Sequence, residues 1–172
     1  MIVARIEGGL GNQLFQYAFG MQLAAQHQAE LVLDLSSYSN RPAHGYLLDS
    51  LSIGARELSI DERKRVPGRY QNGKRSILSA FSFGGNDFRR VRERPFGFSE
   101  KYMSAPNDCY LVGYWQSEQF FRDVTSSVRT QFQPSAMLST ETLRIRERML
   151  NSSSIAIHMR REIGRASCRE RV

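Results

Sequence analysis

Ile2–Leu35 reads IVARIEGGLGNQLFQYAFGMQLAAQHQAELVLDL, and its punctuation decides the fold class. Ile2–Ile6 (IVARI) is rich in β-branched residues and alternates imperfectly, which reads as a short strand. A glycine turn follows at Gly8-Gly9-Leu10-Gly11, and Asn12 stands where a helix N-cap is expected. From Gln13 to about His27, the apolar residues Leu14, Tyr17, Ala18, Met21 and Ala25 recur at helical spacing, and Phe15 and Phe19 widen that face. Leu31–Leu35 (LVLDL) is a second, buried strand. Strand, glycine turn, helix, strand is a βαβ unit. A chain that leaves a strand through a helix returns in the same direction, so the sheet is expected to be parallel.

The rest of the chain extends this frame unevenly. Ser36 to about Phe98 holds Pro42, Pro67 and Pro95, many Arg and only short apolar clusters, so loops and short helices are expected, one of them near Ile77–Phe83. Cys109–Gly113 (CYLVG) reads as a third strand. In Ser117–Phe132, Phe120, Phe121, Val124, Val128 and Phe132 fall at helical spacing behind Ser117 as N-cap, and Pro134 stops the run. Ser139–Leu150 reads as a charged helix and Ser154–His158 (SIAIH) as a last strand.

Composition narrows the class. The 172 residues are 41% apolar and 24% charged, an ordinary globular balance that excludes collagen, a disulfide scaffold and a wholly disordered chain. No run approaches the ~20 apolar residues that cross a bilayer, and the opening MIVARIEGG turns polar too soon for a signal peptide. A cytoplasmic setting is therefore expected. The net charge is +7, and with only three Lys (Lys64, Lys74, Lys101) it is carried almost entirely by Arg. Arg favours bidentate contacts with phosphate, so an anionic partner or a solvated basic surface fits equally well. A nucleic-acid module would interleave basic and aromatic residues on one face. Here the Arg residues are scattered and the aromatics sit at core spacings, so no nucleic-acid partner is expected. Cys109 and Cys168 have no metal-ligand spacing.

Three places can carry chemistry. The loop Gly8, Gly9, Gly11, Asn12 and Gln13 follows a strand and opens a helix, which brings backbone N–H groups and side-chain amides to an anion or a hydroxyl-rich ligand. It is not a dinucleotide fingerprint, because Leu14 stands where the third glycine belongs, nor a Walker loop, because no Lys-Ser/Thr follows. A tight structural turn explains it equally well, one in which Gly11 is expected to supply φ > 0 and close backbone approach. His158, Arg160 and Arg161 stand at the carboxyl end of the last expected strand, where open α/β sheets bind ligands, and two adjacent Arg suit a diphosphate or a plain solvated rim. Tyr114, Trp115 and Gln116 follow the third strand as a sugar platform or, for Trp115 more readily, as an aromatic core corner. Asp34 ends the second strand, where a carboxylate orients a ligand or caps a loop.

Taken together, Gly8–Gly20 (GGLGNQLFQYAFG), Gly113–Phe121 (GYWQSEQFF) and Ile155–Arg161 (IAIHMRR) resemble the motifs of glycosyltransferase family 11, the α-1,2-fucosyltransferases. The third is similar to the start of HxRRGDY, but Glu162-Ile163-Gly164 replaces Gly-Asp-Tyr. The resemblance covers Met1–Arg161 and is least specific from Ser36 to Asp108. It implies a GT-B enzyme of two Rossmann-like halves that transfers L-fucose from GDP-fucose to the 2-hydroxyl of a galactoside, with inversion and without a required metal or other cofactor. It implies that this chain is the N-terminal Rossmann-like half, a parallel sheet with flanking helices. Residues 1–153 would face the acceptor, and 154–161 would open the GDP-sugar domain. His158, Arg160 and Arg161 would meet GDP-fucose, and Tyr114, Trp115 and Gln116 would meet a galactose-containing acceptor. A peripheral contact with membrane-borne glycan precursors at the inner membrane face is the setting implied. A non-catalytic sugar- or nucleotide-binding α/β module is the competing reading.

The last segment, Glu162–Val172 (EIGRASCRERV), has no apolar periodicity and back-translates, codon by codon, into a common sequencing adapter. It is expected to be a non-native tail that contributes nothing to the fold, the native chain continuing past Arg161. Without it the net charge falls from +7 to +6 and Cys168 is lost. A chain cut at that point is expected to be inactive as a transferase.

Overall fold

The computed structural model describes residues 1–39, 45–66, 88–155 and 157. The helix expected near Ile77–Phe83 lies outside the described residues, as do His158, Arg160, Arg161 and Glu162–Val172. The chain divides into two compact units, Met1–Ala136 and Met137–Val172.

Met1–Ala136 is built on a parallel sheet of five strands: β1 (Ile2–Arg5), β2 (Leu31–Asp34), β3 (Arg56–Glu57), β4 (Arg89–Arg92) and β5 (Cys109–Val112), in the order β3-β2-β1-β5-β4. The register places Ile2 beside Leu31 and Cys109, and Ala4 beside Leu33 and Leu111. β1, in the centre, is apolar on both faces because both are covered. Ile2, Ala4, Ile6, Leu31, Leu33, Cys109 and Leu111 belong to the larger core. The alternate residues Val3, Val32 and Tyr110 meet Leu58, Val66 and Phe88 on the other face.

The larger core is covered by α1 (Leu10–Gln26). α1 lies close to the sheet because Gly20 has no side chain: a Cβ there would stand 2.7 Å from Leu31 Cδ1 and 3.4 Å from Ala4 Cβ. Phe19 packs against Trp115 and Phe120, with ring centroids 4.6 and 4.9 Å away. Beside α1 runs Glu118–Val124, a stretch of 3-10 turns, followed by α3 (Thr125–Gln131). The short helix α2 (Glu62–Arg65) follows β3, and Arg56 bridges Glu30 and Glu62 at 2.8 and 2.7 Å. In the other unit, α4 (Thr140–Leu150) is capped by Ser139, whose hydroxyl accepts from Thr142 N at 3.2 Å, and it has no buried residue.

Several expectations are corrected. α1 starts at Leu10 with Gly9 as N-cap, so Asn12 sits inside the first turn rather than before it. Gly8, not Gly11, has the left-handed backbone, with φ +82; a Cβ on Gly11 would meet nothing within 4 Å. The buried face of α1 holds Tyr17, Ala18 and Phe19 as expected, with Leu14 and Met21 packed against the core, but it also takes in Gln13, Gln16 and Gln22, and Ala25 is exposed. Ser117–Phe132 is not one helix. Ser117 does cap, its hydroxyl accepting from Gln119 N at 3.3 Å, but Phe121 (φ −138) breaks the run. β3 and β4 appear where loops were expected. Of Ser154–His158, the described Ser154, Ile155 and Ile157 join no strand, and Ile155 and Ile157 are exposed. An apolar run becomes a strand only when a neighbouring backbone pairs with it.

The glycine correction is testable by urea denaturation. Gly11→Ala should be neutral or stabilising by up to about 1 kcal/mol, as for Gly→Ala at a backbone conformation Ala can adopt. Gly8→Ala should cost about 1–2 kcal/mol or more, because the left-handed conformation crowds a Cβ. The reverse order would restore Gly11 as the special position.

Candidate functional site

The carboxyl ends of β1, β2 and β5 open onto one region, and α1 begins there. The turn Glu7-Gly8-Gly9 leaves β1 and is shaped at Gly8, where an added Cβ would stand 2.6 Å from Asn12 Nδ2. The Gly8 carbonyl accepts from Gln13 Nε2 and from Tyr38 Oη, both at 2.9 Å. Gln13 Nε2 also donates to Gly45 O, and Leu47 N donates to Gln13 Oε1, each at 2.9 Å. Gln13 is therefore fully buried and fully bonded; it ties the turn to the segment that enters from β2.

Gln16, one turn on, joins the other side. Glu7 N donates to Gln16 Oε1 at 2.9 Å, and Gln16 Nε2 donates to Gly113 O at 3.1 Å. Glu7, two residues beyond β1, and Gly113, the first beyond β5, are thus held by one amide. Glu93, at the end of β4 and 7% exposed, accepts from Tyr114 N at 2.7 Å and Trp115 N at 3.1 Å through the same carboxylate oxygen. Those bonds hold Trp115 at φ +55. Burying a carboxylate is costly unless hydrogen bonds replace its water, and these two do so.

Trp115 turns into the core at 1% exposure, packed on Phe19, Tyr102 and Phe120. Its neighbours turn outward: Tyr114 is half-buried and Gln116 exposed. Gln116 Nε2 donates to Asn12 Oδ1 at 2.7 Å, which joins the glycine loop to the loop after β5. Gly11 stands exposed in the first turn of α1. Asp34 is buried and caps its own loop: its carboxylate accepts from Ser36 N at 2.9 Å and from Tyr110 Oη at 2.7 Å. Arg5 pairs with Glu7 at 3.0 Å and donates to Ser37 Oγ at 3.1 Å.

Asn12, Gln116 and Tyr114 are therefore brought together, while Gln13 and Trp115 are consumed by the fold. Sequence reasoning missed Gln16, Glu93 and Tyr38, and with Tyr38 its neighbour Tyr46, the two ring centroids 6.1 Å apart. A helical face carrying glutamines at positions 13, 16 and 22 was the available signal for the first.

Among these described residues, the acidic and basic side chains of the rim are the Arg5–Glu7 pair and the enclosed Asp34 and Glu93. Burial, then the negative charge of Glu7, pushes the Tyr38 phenol up to about 12. Burial and Asp49 push Tyr46 up to about 12. Tyr114 is raised by burial and by Glu7, with Arg5 opposing. These phenols act as hydrogen-bonding groups, not bases. Burial pushes the Cys109 thiol up to about 11, so it is no nucleophile. Among the described residues, no group of three or more His, Cys, Asp or Glu is gathered for a metal ion, and no helix is long and apolar enough to cross a membrane. An open depression of about 510 Å³ lies at the other end of α1, lined by Tyr17, Met21, Ala24, Leu31 and Arg56 among others; none of the described candidate residues lines it.

The chain is similar to the alpha-1,2-colitosyltransferase of Escherichia coli, with 28% identity over 169 residues. The alignment covers 94% of this chain and 54% of that protein, so the chain spans about half the length of the curated relative it matches. No family model matches, and no solved structure matches. By its name the relative is a glycosyltransferase.

The raised phenols set a pH dependence. Tyr38 and Tyr46 keep their protons up to about 12 when folded, whereas unfolded tyrosines lose theirs near 10. Between those values the unfolded state binds fewer protons, so stability falls with rising pH. The contribution is complete below about pH 10 and lost towards 12. Spectrophotometric titration with urea melts at each pH should show late-ionising tyrosines and that decline. Uniform ionisation near pH 10 with flat stability would contradict the burial of this rim.

Proposed function

We propose that the chain is part of a glycosyltransferase that passes L-fucose from GDP-fucose to the 2-hydroxyl of a galactoside, inverting the anomeric carbon without a metal. The observation that carries this reading is the meeting of two loops at one end of the sheet, Gln116 with Asn12 at 2.7 Å across 104 residues of chain. Side-chain amides that both donate and accept are suited to neighbouring sugar hydroxyls. The similarity to a sugar-transferring enzyme named for an α-1,2 linkage supports the reaction class.

In this reading Met1–Ala136 faces the acceptor, and the donor motif belongs to His158, Arg160 and Arg161, outside the described residues. The acceptor 2-hydroxyl gives its proton to a general base as its oxygen bonds to the fucose anomeric carbon, and the bond from that carbon to the β-phosphate oxygen breaks, its electron pair leaving with GDP. Two guanidiniums are the metal-free means of meeting that charge. The transition state is oxocarbenium-like, as in glycoside hydrolysis, and a rim of neutral phenols and amides orients a hydroxyl without competing for the cationic sugar. GDP-fucose is a substrate and no cofactor enters. The setting we assign is cytoplasmic, at the membrane face where lipid-borne glycan precursors are presented, with no nucleic-acid partner.

The test is a transfer assay with GDP-fucose and a β-galactoside on three proteins: this chain, the gene extended past Arg161, and that longer protein carrying Arg160→Ala. This chain alone should be inactive, the longer protein active, and Arg160→Ala slower by ~100-fold or more, the scale of losing one donor to developing charge. Robust turnover by this chain, or an unaffected variant, would overturn the assignment.

A further inference from the structure

Phe96 is 78% exposed, and it is the one exposed aromatic ring among the described residues. Isolated exposed hydrophobics are ordinary on protein surfaces. Phe96 is not isolated: it stacks on Tyr114 with centroids 6.2 Å apart and planes 20° from parallel. Both rings are held from behind. Tyr114 N is bonded to the buried Glu93 carboxylate at 2.7 Å. Gly113 leaves no room to shift, since a Cβ there would stand 2.5 Å from Glu93 Cβ. On the Phe96 side, Arg94 N donates to Tyr102 Oη at 2.6 Å, and Tyr102 Oη donates to Arg94 O at 2.9 Å, from a tyrosine that is itself 5% exposed. Glu93 therefore sets the position of Tyr114 from the same segment that carries Phe96.

We propose that Phe96 and Tyr114 form the stacking platform for the acceptor sugar and that Phe96 is a specificity-determining residue for a galacto-configured ring. This rests on the reading of the site as a glycosyltransferase acceptor side. The chemistry comes from the two loops. Tyr114 and the amide of Gln116 flank the inward-turned Trp115, so an aromatic face and the Asn12–Gln116 amide pair are presented by one turn. A pyranose with an axial 4-hydroxyl carries that hydroxyl on one face and gathers the hydrogens of C3, C4, C5 and C6 on the other as a continuous apolar patch, while its equatorial hydroxyls point to the edge. Such a ring lays that patch on an aromatic face and offers its edge to amides. In a gluco-configured ring the C4 hydrogen lies on the opposite face, so that patch is interrupted. Rings fixed in advance lose little freedom on binding, which is what lets a shallow platform hold a small sugar.

The experiment is saturation-transfer NMR on the 172-residue chain, titrated with methyl β-D-galactopyranoside and separately with methyl β-D-glucopyranoside. The galactoside should bind in the millimolar range, with transfer strongest to its C3–C6 hydrogens, and more tightly than the glucoside. Phe96→Ala should weaken the galactoside by about 3- to 10-fold, the scale of one aromatic contact, and Phe96→Trp should restore it. Because Phe96 is exposed, a urea melt of each variant should match the parent. Galactoside binding that Phe96→Ala leaves unchanged would overturn the platform while the acceptor-side reading stood. Absence of binding by either sugar would overturn both.

Discussion

The amide of Gln16 holds together two strand ends that the sheet itself leaves apart. β1 and β5 are neighbours in space but distant in sequence, and their ladder ends at Ala4 and Leu111. Beyond it, Glu7 N and Gly113 O have no partner strand, and Gln16 serves both. A buried backbone group left unpaired costs about 1–3 kcal/mol, so the helix that covers the sheet also fixes where its loops leave. Gln13 repeats the arrangement towards β2. Gln22 does so towards the 3-10 segment, its amide donating to Asp123 Oδ2 at 2.8 Å.

From that constraint the site follows. The turn after β1 and the loop after β5 cannot move independently, so Asn12 and Gln116 stay within a hydrogen bond of each other. Glu93 adds a third tie from β4 and spends its charge on two backbone N–H groups. Side chains that recognise a ligand sit on loops, yet each loop is bonded to the scaffold behind it, which is how a binding geometry is held ready. The polar residues at this end thus divide into those bonded inward, Gln13, Gln16, Glu93 and Asp34, and those left facing out, Asn12, Tyr114 and Gln116.

How legible this was in the sequence depended on where each segment's partners lie. β1, β2 and β5 are covered on both faces, so IVARI, LVLDL and CYLVG announce themselves as apolar runs. β3 and β4 are edge strands; Arg56–Glu57 and Arg89–Arg92 carry mostly charged side chains, which discourage pairing with other chains but erase the strand signal. The helix α1 was legible in outline, but its buried glutamines were not, because their partners are backbone groups and the Asp123 carboxylate, up to 101 residues away. Gly8 and Gly11 look alike in sequence; only the path of the chain shows that the first is left-handed and the second is a first-turn residue. Asn12, Tyr114 and Gln116 could be picked out as candidates from their place after strands, whereas Phe96 and Glu93 lie in an Arg-rich stretch with no pattern.

Native-state hydrogen exchange on Gln16→Leu, a change of similar volume that removes both hydrogen bonds, shows whether the Gln16 amide fixes both loops. The Glu7 amide, protected in the parent, should exchange at least ~10-fold faster in the variant, as expected for losing about 1.4 kcal/mol of local protection. The amides of Val3 and Val32, inside the ladder, should change much less. Unchanged protection at Glu7, or an equal loss at every ladder amide, would contradict that role of Gln16.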